Sequence, residues 1–456
     1  MFYPVKEKLV DAHYGNAGGD NPFLAALPDM LPREDFLKAM KSSPKLPIDL
    51  PAITVEQRSR LIPMIASAFF PMDYMYAIYD QLYRSIVTTY TTRTSVEAVR
   101  QVNALFADRA TGDMPYATQA ASGAILGVPG VGKTSTIKRS LSLMPQVICH
   151  SEYQGQPFFC KQVLYLHVEC PSDCSVKTLG FNILRALDMA VGTEYYERLV
   201  AMKTAAASSI ATQVKILCMT HHVGVLVVDE IQNAVLTARK NGQVKPLIKF
   251  LAELTNDTST GIMFAGTPLA EDLFLSEEHL KRRTRGIRLL PLKPDGIYFD
   301  LLNFLWPLQV TPKQAPLTDG MRKKLFDLSG GVPAYISKIF QEAQAQALLL
   351  GEPCINEKIM QRAVDMLAIR IPKTYAGGTY LSDFSYEGNE DTEHPVETSE
   401  SPSESLAESP VPRLYAVKRG RKATDRDPED LIVAFREGLD MVAFLRENRM
   451  LEESEC

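Results

Sequence analysis

The stretch Gly127-Val128-Pro129-Gly130-Val131-Gly132-Lys133-Thr134 satisfies every fixed position of the pattern G-x-x-x-x-G-K-[ST]. Ala124-Ile125-Leu126 before it is a short apolar run suited to a buried strand, and Ser135 to Leu143 after it is compatible with a helix. Strand, glycine-rich turn and helix N-terminus form the context that a phosphate-binding loop requires. The glycines let successive backbone N–H groups close around phosphate oxygens, and the helix dipole favours negative charge there. Gly127 to Thr134, with Ser135, are therefore the candidate nucleotide-binding residues. Lys133 is expected to reach the β- and γ-phosphates of ATP, and Thr134 to hold Mg²⁺.

Further along, Val223-Gly224-Val225-Leu226-Val227-Val228-Asp229-Glu230 is an apolar strand pattern that ends in two carboxylates, the Walker B signature. Asp229, at the strand's carboxyl end, can bind Mg²⁺ directly or through water. Glu230 is placed to polarise an attacking water as general base. An apolar run ending in Asp-Glu is weak alone, but downstream of a complete P-loop in an alternating α/β stretch it gains weight. The adjacent glutamate argues for hydrolysis rather than passive binding. A third apolar run, Ile262-Met263-Phe264-Ala265, leads into Gly266-Thr267-Pro268, where Thr267 is expected to sense the γ-phosphate or the lytic water.

Two more segments complete the pattern. In Lys281-Arg282-Arg283-Thr284-Arg285, an arginine can reach the γ-phosphate bound by a neighbouring copy and stabilise transition-state charge, with Arg282 the first choice and Arg283 the second. Ser329-Gly330-Gly331-Val332-Pro333 opens a helical segment whose only cationic sensor candidate is Lys338. His167, Cys170 and Cys174 lack the spacing of a zinc site and have no second pair nearby. His221-His222 reads as a surface turn.

The chain has 456 residues, more than one compact core usually holds, so two or three domains are expected. At 46% hydrophobic and 23% charged it has the composition of a globular protein. No apolar run approaches the roughly 20 residues of a membrane span. The first residues, Met1 to Lys8, have mixed charge and lack the apolar core of a secretory signal. Seven scattered cysteines, an odd number, suit reduced thiols in a cytoplasm. With a net charge of only -5, any nucleic-acid contact must come from a local basic surface.

The organisation reads as five segments. Residues 1–110 form an N-terminal extension with a helix expected over Tyr74 to Val87, where Tyr74, Ile78, Leu82 and Ile86 recur every four residues. Residues 111–293 alternate strands and helices, with strands expected at Ala124–Leu126, Val163–Val168, Val223–Val228, Ile262–Ala265 and Ile287–Leu290. Near-continuous apolar strands separated by helices indicate α/β architecture with a parallel sheet covered on both faces. Residues 294–370 turn helical and read as a small lid. Residues 371–426 read as a disordered linker: Glu387 to Glu408 holds eight acidic residues and no Lys or Arg, and a basic cluster at Lys418 to Lys422 follows. Residues 427–456 read as a helix capped by Asp427 with Pro428 at its first position, a candidate docking peptide.

The order of P-loop, Asp-Glu strand, Gly-Thr strand end, arginine cluster and Gly-Gly lid resembles the initiator-type AAA+ ATPases. More closely, it resembles the TnsC branch related to TniB and MuB. Asp20-Asn21-Pro22-Phe23-Leu24-Ala25-Ala26-Leu27-Pro28 and Pro145-Gln146-Val147-Ile148-Cys149-His150 carry that closer resemblance, and Asp229-Glu230-Ile231-Gln232 and Ala265-Gly266-Thr267-Pro268 add to it. It implies a bacterial, cytoplasmic ATPase that assembles as a ring or filament on duplex DNA. It further implies links to a target selector of TnsD or TniQ type, through residues 1–110, and to TnsA- or TnsB-like transposase subunits. Lys177 and Thr193 would then be DNA-tracking residues, the lysine through a sequence-blind phosphate contact. The tail's Arg-Gly-Arg core resembles a minor-groove hook. A different class, a STAND-like signalling or defence NTPase that needs no DNA, fits the same motifs and the modest net charge.

Overall fold

The computed structural model describes residues 8–15, 21–47, 52–93, 122–202, 206–235, 244–271, 284–369 and 381–385. Its centre is a six-stranded sheet of β2 (Ser122–Gly127), β5 (Tyr165–Glu169), β6 (Val225–Asp229), β7 (Gly261–Gly266), β8 (Thr284–Leu289) and β9 (Leu381–Ser385). The spatial order is β5-β6-β7-β2-β8-β9. The first five run parallel and β9 runs antiparallel to β8. Because β7 separates β2 from β6, its carboxyl end lies between the glycine-rich loop and Asp229.

Alternation along the strands divides the core into two faces. Ile125, Val225, Val227, Met263 and Ala265 pack with one cluster, while Ala124, Leu126, Leu226, Val228, Ile262 and Phe264 pack with the other. Every residue of β6 and β7 is buried, which is why both read as unbroken apolar runs. The second face is covered by α6 (Val176–Val191), α8 (Ala207–Thr220) and α9 (Val244–Thr258), with the short α7 (Tyr195–Ala201) beside α6. The first face carries α4 (Asp73–Thr92), α5 (Lys133–Leu141) and the lid helices α10 (Gly296–Leu305), α11 (Asp319–Ser329), α12 (Pro333–Leu349) and α13 (Glu357–Leu367).

Several expectations need correction. Residues 1–110 do not stand apart where they are described. The helices α1 (Pro22–Ala25), α2 (Arg33–Met40), α3 (Val55–Ile65) and α4 precede the sheet, and Phe23, Phe36, Ile65, Tyr74 and Ile78 share one buried cluster with the P-loop helix and the lid. The α4 stripe was legible, but the helix is longer than Tyr74–Val87 because Tyr90 and Arg93 also find buried partners. The run Val163–Val168 is not one strand: Val163 ends β4 (Gln156–Val163) and Tyr165 starts β5. Strand β4 pairs antiparallel with β3 (Val147–Tyr153), and β3 pairs parallel with β1 (Leu9–Asp11), so a second, three-stranded sheet precedes β5.

Within the span read as a disordered linker, Leu381–Ser385 pairs with β8, whose edge would otherwise present unpaired backbone groups. His221 and His222 are both 9% exposed rather than a surface turn. The backbone leaving α8 turns beneath α4, and the Tyr90 hydroxyl donates to the His222 carbonyl at 2.7 Å. The helix expected over 427–456 and the basic cluster lie outside the described residues. No helix among the described residues is long and apolar enough to cross a membrane.

Candidate functional site

The site lies at the carboxyl ends of β2, β6 and β7. Gly132 takes φ +103° at the N-cap of α5, a left-handed turn open to glycine at no steric cost. That turn aims the first N–H groups of α5 outward. Behind it, the Tyr74 hydroxyl of α4 donates to the Val131 carbonyl at 2.9 Å, and in front the Ala334 N–H of α12 donates to Gly130 O at 3.1 Å. The loop is thus held between the N-terminal helices and the lid.

Lys133 is 7% exposed, and its ammonium donates to the loop's own carbonyls, Gly127 O at 2.7 Å and Val128 O at 3.2 Å. Burial lowers its pKa, against the pull of Glu230 and Asp229. The Thr134 hydroxyl donates to Asp229 Oδ2 at 2.7 Å. Asp229 Oδ1 accepts the Glu230 N–H at 2.9 Å, and His167 Nε2 on β5 stands 3.5 Å from Oδ2, too far for a good hydrogen bond. Burial pushes the Asp229 carboxyl up, but His167, Thr134 and the Glu230 N–H outweigh it and hold the group below the usual carboxylate range. An anionic carboxylate and a hydroxyl already within contact distance make a fitting oxygen pair for Mg²⁺.

Glu230 adopts φ +57°, an uncommon left-handed conformation for a side-chain-bearing residue. Such geometry costs on the order of 1–3 kcal/mol and persists where surrounding contacts enforce it. Here the Ile231 N–H donates to Ala265 O at 3.0 Å, pinning the turn after β6 to the end of β7. Glu230, Thr267, the loop residues Pro129 to Ser135 and Gln232 line one cleft of about 490 Å³. The structure therefore brings together residues that are far apart in the chain.

The rest of the cleft was missed by sequence reasoning. Ala66, Ala68, Phe69, Phe70 and Met72, between α3 and α4, line it with Leu301 and Leu305 of α10. This end is apolar and aromatic, suited to a nucleobase. Phe69 is held by a two-way backbone bridge to Ser42 and by the Arg139 guanidinium 4.0 Å from its ring centroid. The only local signal was the aromatic-rich segment Phe69 to Tyr90, whose aromatics read more readily as core than as ligand contacts. From the lid, Pro333, Ala334 and Ser337 line the cleft, whereas Lys338 does not.

Other candidates fall elsewhere. Lys177 is exposed in the first turn of α6 and lies 5.9 Å from the Phe181 ring. Thr193 follows the other end of that helix, where its hydroxyl donates to Asp188 Oδ1 at 2.6 Å. The two positions lie at opposite ends of α6. They are not brought together. Arg282 and Arg283 lie outside the described residues. Cys170 and Cys174 are buried free thiols, and the Cys174 thiol points at Asn233 O at 3.3 Å.

Residues 117–274 match the family profile described as AAA domain, a span that contains the glycine-rich loop, both carboxylates and Thr267. No curated protein matches the chain in sequence. Among solved structures, the chain is similar to a variant of the RuvB protein of Thermotoga maritima, at 14% identity over 62% of this chain and 72% of that one, with a TM-score of 0.32. It is similar to the ORC2 protein of Aeropyrum pernix in ADPNP–ADP complexes, at 15% identity over 59% and 66%, with a TM-score of 0.34. It is also similar to the ORC1 protein of Aeropyrum pernix in complex with DNA, at 12% identity over 60% and 64%, with a TM-score of 0.40. The fold is that of an AAA+ P-loop domain, a parallel sheet flanked by helices.

Proposed function

We propose that this protein is an ATPase that assembles on duplex DNA and regulates transposition. In this reading it links a TnsD- or TniQ-type target selector to TnsA- or TnsB-like transposase subunits, and hydrolysis dismantles the assembly. The observation that carries the enzymatic part is the cleft. Lys133, Thr134, Glu230 and Thr267 line one volume large enough for a nucleotide, with Asp229 held behind Thr134 and an apolar end for the base. The DNA and transposition parts rest on the resemblance of the segments at Asn21-Pro22-Phe23 and Pro145 to His150, together with Glu230-Ile231-Gln232.

The chain's own residues divide the work. Lys133 exchanges its two loop carbonyls for the β- and γ-phosphates. Thr134 and Asp229 would hold Mg²⁺ through their oxygens, and the ion would supply screening of phosphate charge. Glu230 accepts a proton from the attacking water, and Thr267 orients that water or the γ-phosphate. Among the described residues lining the cleft, Lys133 is the only cation. Beyond Lys133 and the Mg²⁺ that Thr134 and Asp229 would hold, charge that builds on the γ-phosphate in the transition state is stabilised by a further cation. Arg282 or Arg283 of a neighbouring copy is the assigned source, which makes hydrolysis depend on assembly.

Electron microscopy with duplex DNA and a non-hydrolysable ATP analogue tests the whole reading. Rings or filaments that form on DNA of any sequence and dissolve with rising salt are expected. Strictly single particles under those conditions would count against assembly. ATPase activity indifferent to duplex DNA would instead favour the DNA-independent signalling NTPase. Lys133→Ala should lose nucleotide binding and assembly together, whereas Glu230→Gln should bind ATP and stay assembled.

A further inference from the structure

We infer that Gln232 is a positioning residue that sets the catalytic carboxylate of Glu230 by the position of the strand end that carries Thr267. The inference rests on Glu230 being the base of the proposed ATPase. Gln232 is 8% exposed and lines the nucleotide cleft, yet no motif reading assigned it a task. Its side chain spans two functional groups. Oε1 accepts the Thr267 N–H at 3.0 Å, and Nε2 donates to Glu230 Oε2.

The chemistry of the amide makes this bridge directional. A backbone N–H can only donate, so it fixes which end of the amide is the oxygen. The NH₂ group is then compelled to face Glu230. One carboxylate oxygen of Glu230 is held by that donor, which leaves Oε1 as the proton acceptor for water. The same turn is tied to β7 a second time by the Ile231 N–H on Ala265 O at 3.0 Å. A shift of the β7 end on γ-phosphate contact therefore carries the Glu230 carboxylate with it.

The neighbouring glycine bears the imprint of this arrangement. A Cβ added at Gly266 would stand 2.7 Å from Gln232 Oε1 and 2.8 Å from Ile231 Cγ2, closer than carbon tolerates. The end of β7 thus has no side chain where the amide must pass. Misplacing a catalytic group by about 1 Å can cost on the order of 10²-fold in rate. A cost of that kind falls on kcat rather than on nucleotide binding, because Gln232 serves the proton acceptor and not the phosphate grip.

Gln232→Glu is the discriminating variant. It keeps the shape and an acceptor for the Thr267 N–H, but sets a second carboxylate against Glu230. The full-length protein should lose about 10²-fold in kcat for ATP while KM, ATP affinity and melting temperature stay near wild type. Gln232→Met, which removes the donor to Glu230 without adding charge, would leave kcat unchanged if the residue merely packs, and that result would overturn the inference, as would a parallel loss of ATP affinity in that variant. Should Gln232→Glu melt early, Gln232→Met decides alone: it keeps the side chain's length and adds no charge, so a kcat loss at unchanged affinity supports the bridge and a normal kcat sinks it. Glu230→Gln run alongside separates the two claims. If Glu230→Gln is inactive while Gln232→Glu is active, only the positioning role falls. If Glu230→Gln hydrolyses ATP like wild type, the ATPase reading and the positioning role fall together.

Discussion

The two ends of the central sheet are built on opposite principles. At the carboxyl ends, polar groups hold partners that can be exchanged: Lys133 on its own loop, Thr134 on Asp229, and a Glu230 backbone in a strained conformation. At the amino ends, polar groups hold backbone partners that never leave. Arg93, 2% exposed, donates to Val223 O at 3.2 Å and to Thr258 O. The Thr89 hydroxyl donates to Gly224 O at 2.8 Å and accepts the Gly261 N–H at 3.1 Å. Both residues stand at the end of α4, whose first turn supports the phosphate loop through Tyr74. One helix therefore braces a fixed end and a working end. A buried polar group contributes rigidity when its partners are permanent and reactivity when they are replaceable.

The largest expected effect breaks the working end alone. Glu230→Gln should lower kcat by about 10²–10⁴-fold, the usual worth of a general base, with the melting temperature unchanged or raised. Steady-state hydrolysis and calorimetry read both. A melting temperature that fell with kcat would erase the distinction between the two ends.

Arg93→Ala attacks the fixed end. It orphans buried carbonyls of Val223 and Thr258 and leaves a large void, so a loss of about 3 kcal/mol is expected in urea unfolding. At temperatures where the variant stays folded, ATP affinity should match wild type. A selective loss of hydrolysis with intact stability would show that the amino end takes part in the chemistry.

Acid should also act on the fixed end first. Burial lowers the pKa of His222 from 6.5 to about 3, with Arg93, His150 and His221 adding to the depression, and burial likewise lowers His150 and His221. Below pH 6.5 the unfolded chain takes up protons that the folded chain refuses, so stability falls as pH drops. The loss from His222 grows through the window between 6.5 and about 3, reaching on the order of 2 kcal/mol at pH 5. Thermal melts from pH 8 to pH 5, with His222→Phe flattening the slope, would check this.

The smallest effect sharpens the anatomy of the working end. Replacing Phe69 and Phe70 together by alanine should weaken ATP binding by about 1 kcal/mol, roughly a fivefold rise in Kd, because an aromatic wall for the base is lost. An unchanged affinity measured by titration calorimetry would place the base elsewhere in the cleft.

How far the sequence could be read depended on whether a residue's neighbours were local. Gly127 to Thr134 and Asp229-Glu230 were legible because strand, turn and helix cues lie beside them. The three-stranded sheet was not, because Val147 to Tyr153 lacks strict alternation and β1, its parallel partner, is distant in the chain; only the Gln154-Gly155 turn that closes the β3–β4 hairpin is a local cue. Phe69 looked like ordinary helix packing, since its bridge to Ser42 and its contact with Arg139 cross the fold. His221 and His222 looked like a polar turn because nothing nearby in the chain reveals that α4 covers them.

Sequence alone determined the phosphate loop, the acidic strand end and the alternation that makes a parallel sheet, since each is encoded in spacing within a few residues. Tertiary structure alone decided that β7 sits between β2 and β6, that residues 66–72 wall the cleft, and that Gln232 bridges Glu230 and Thr267. Those facts follow from strand order and from contacts between segments far apart in the chain. Local pattern has no means of expressing them, because the free energy that selects them comes from burying several elements at once.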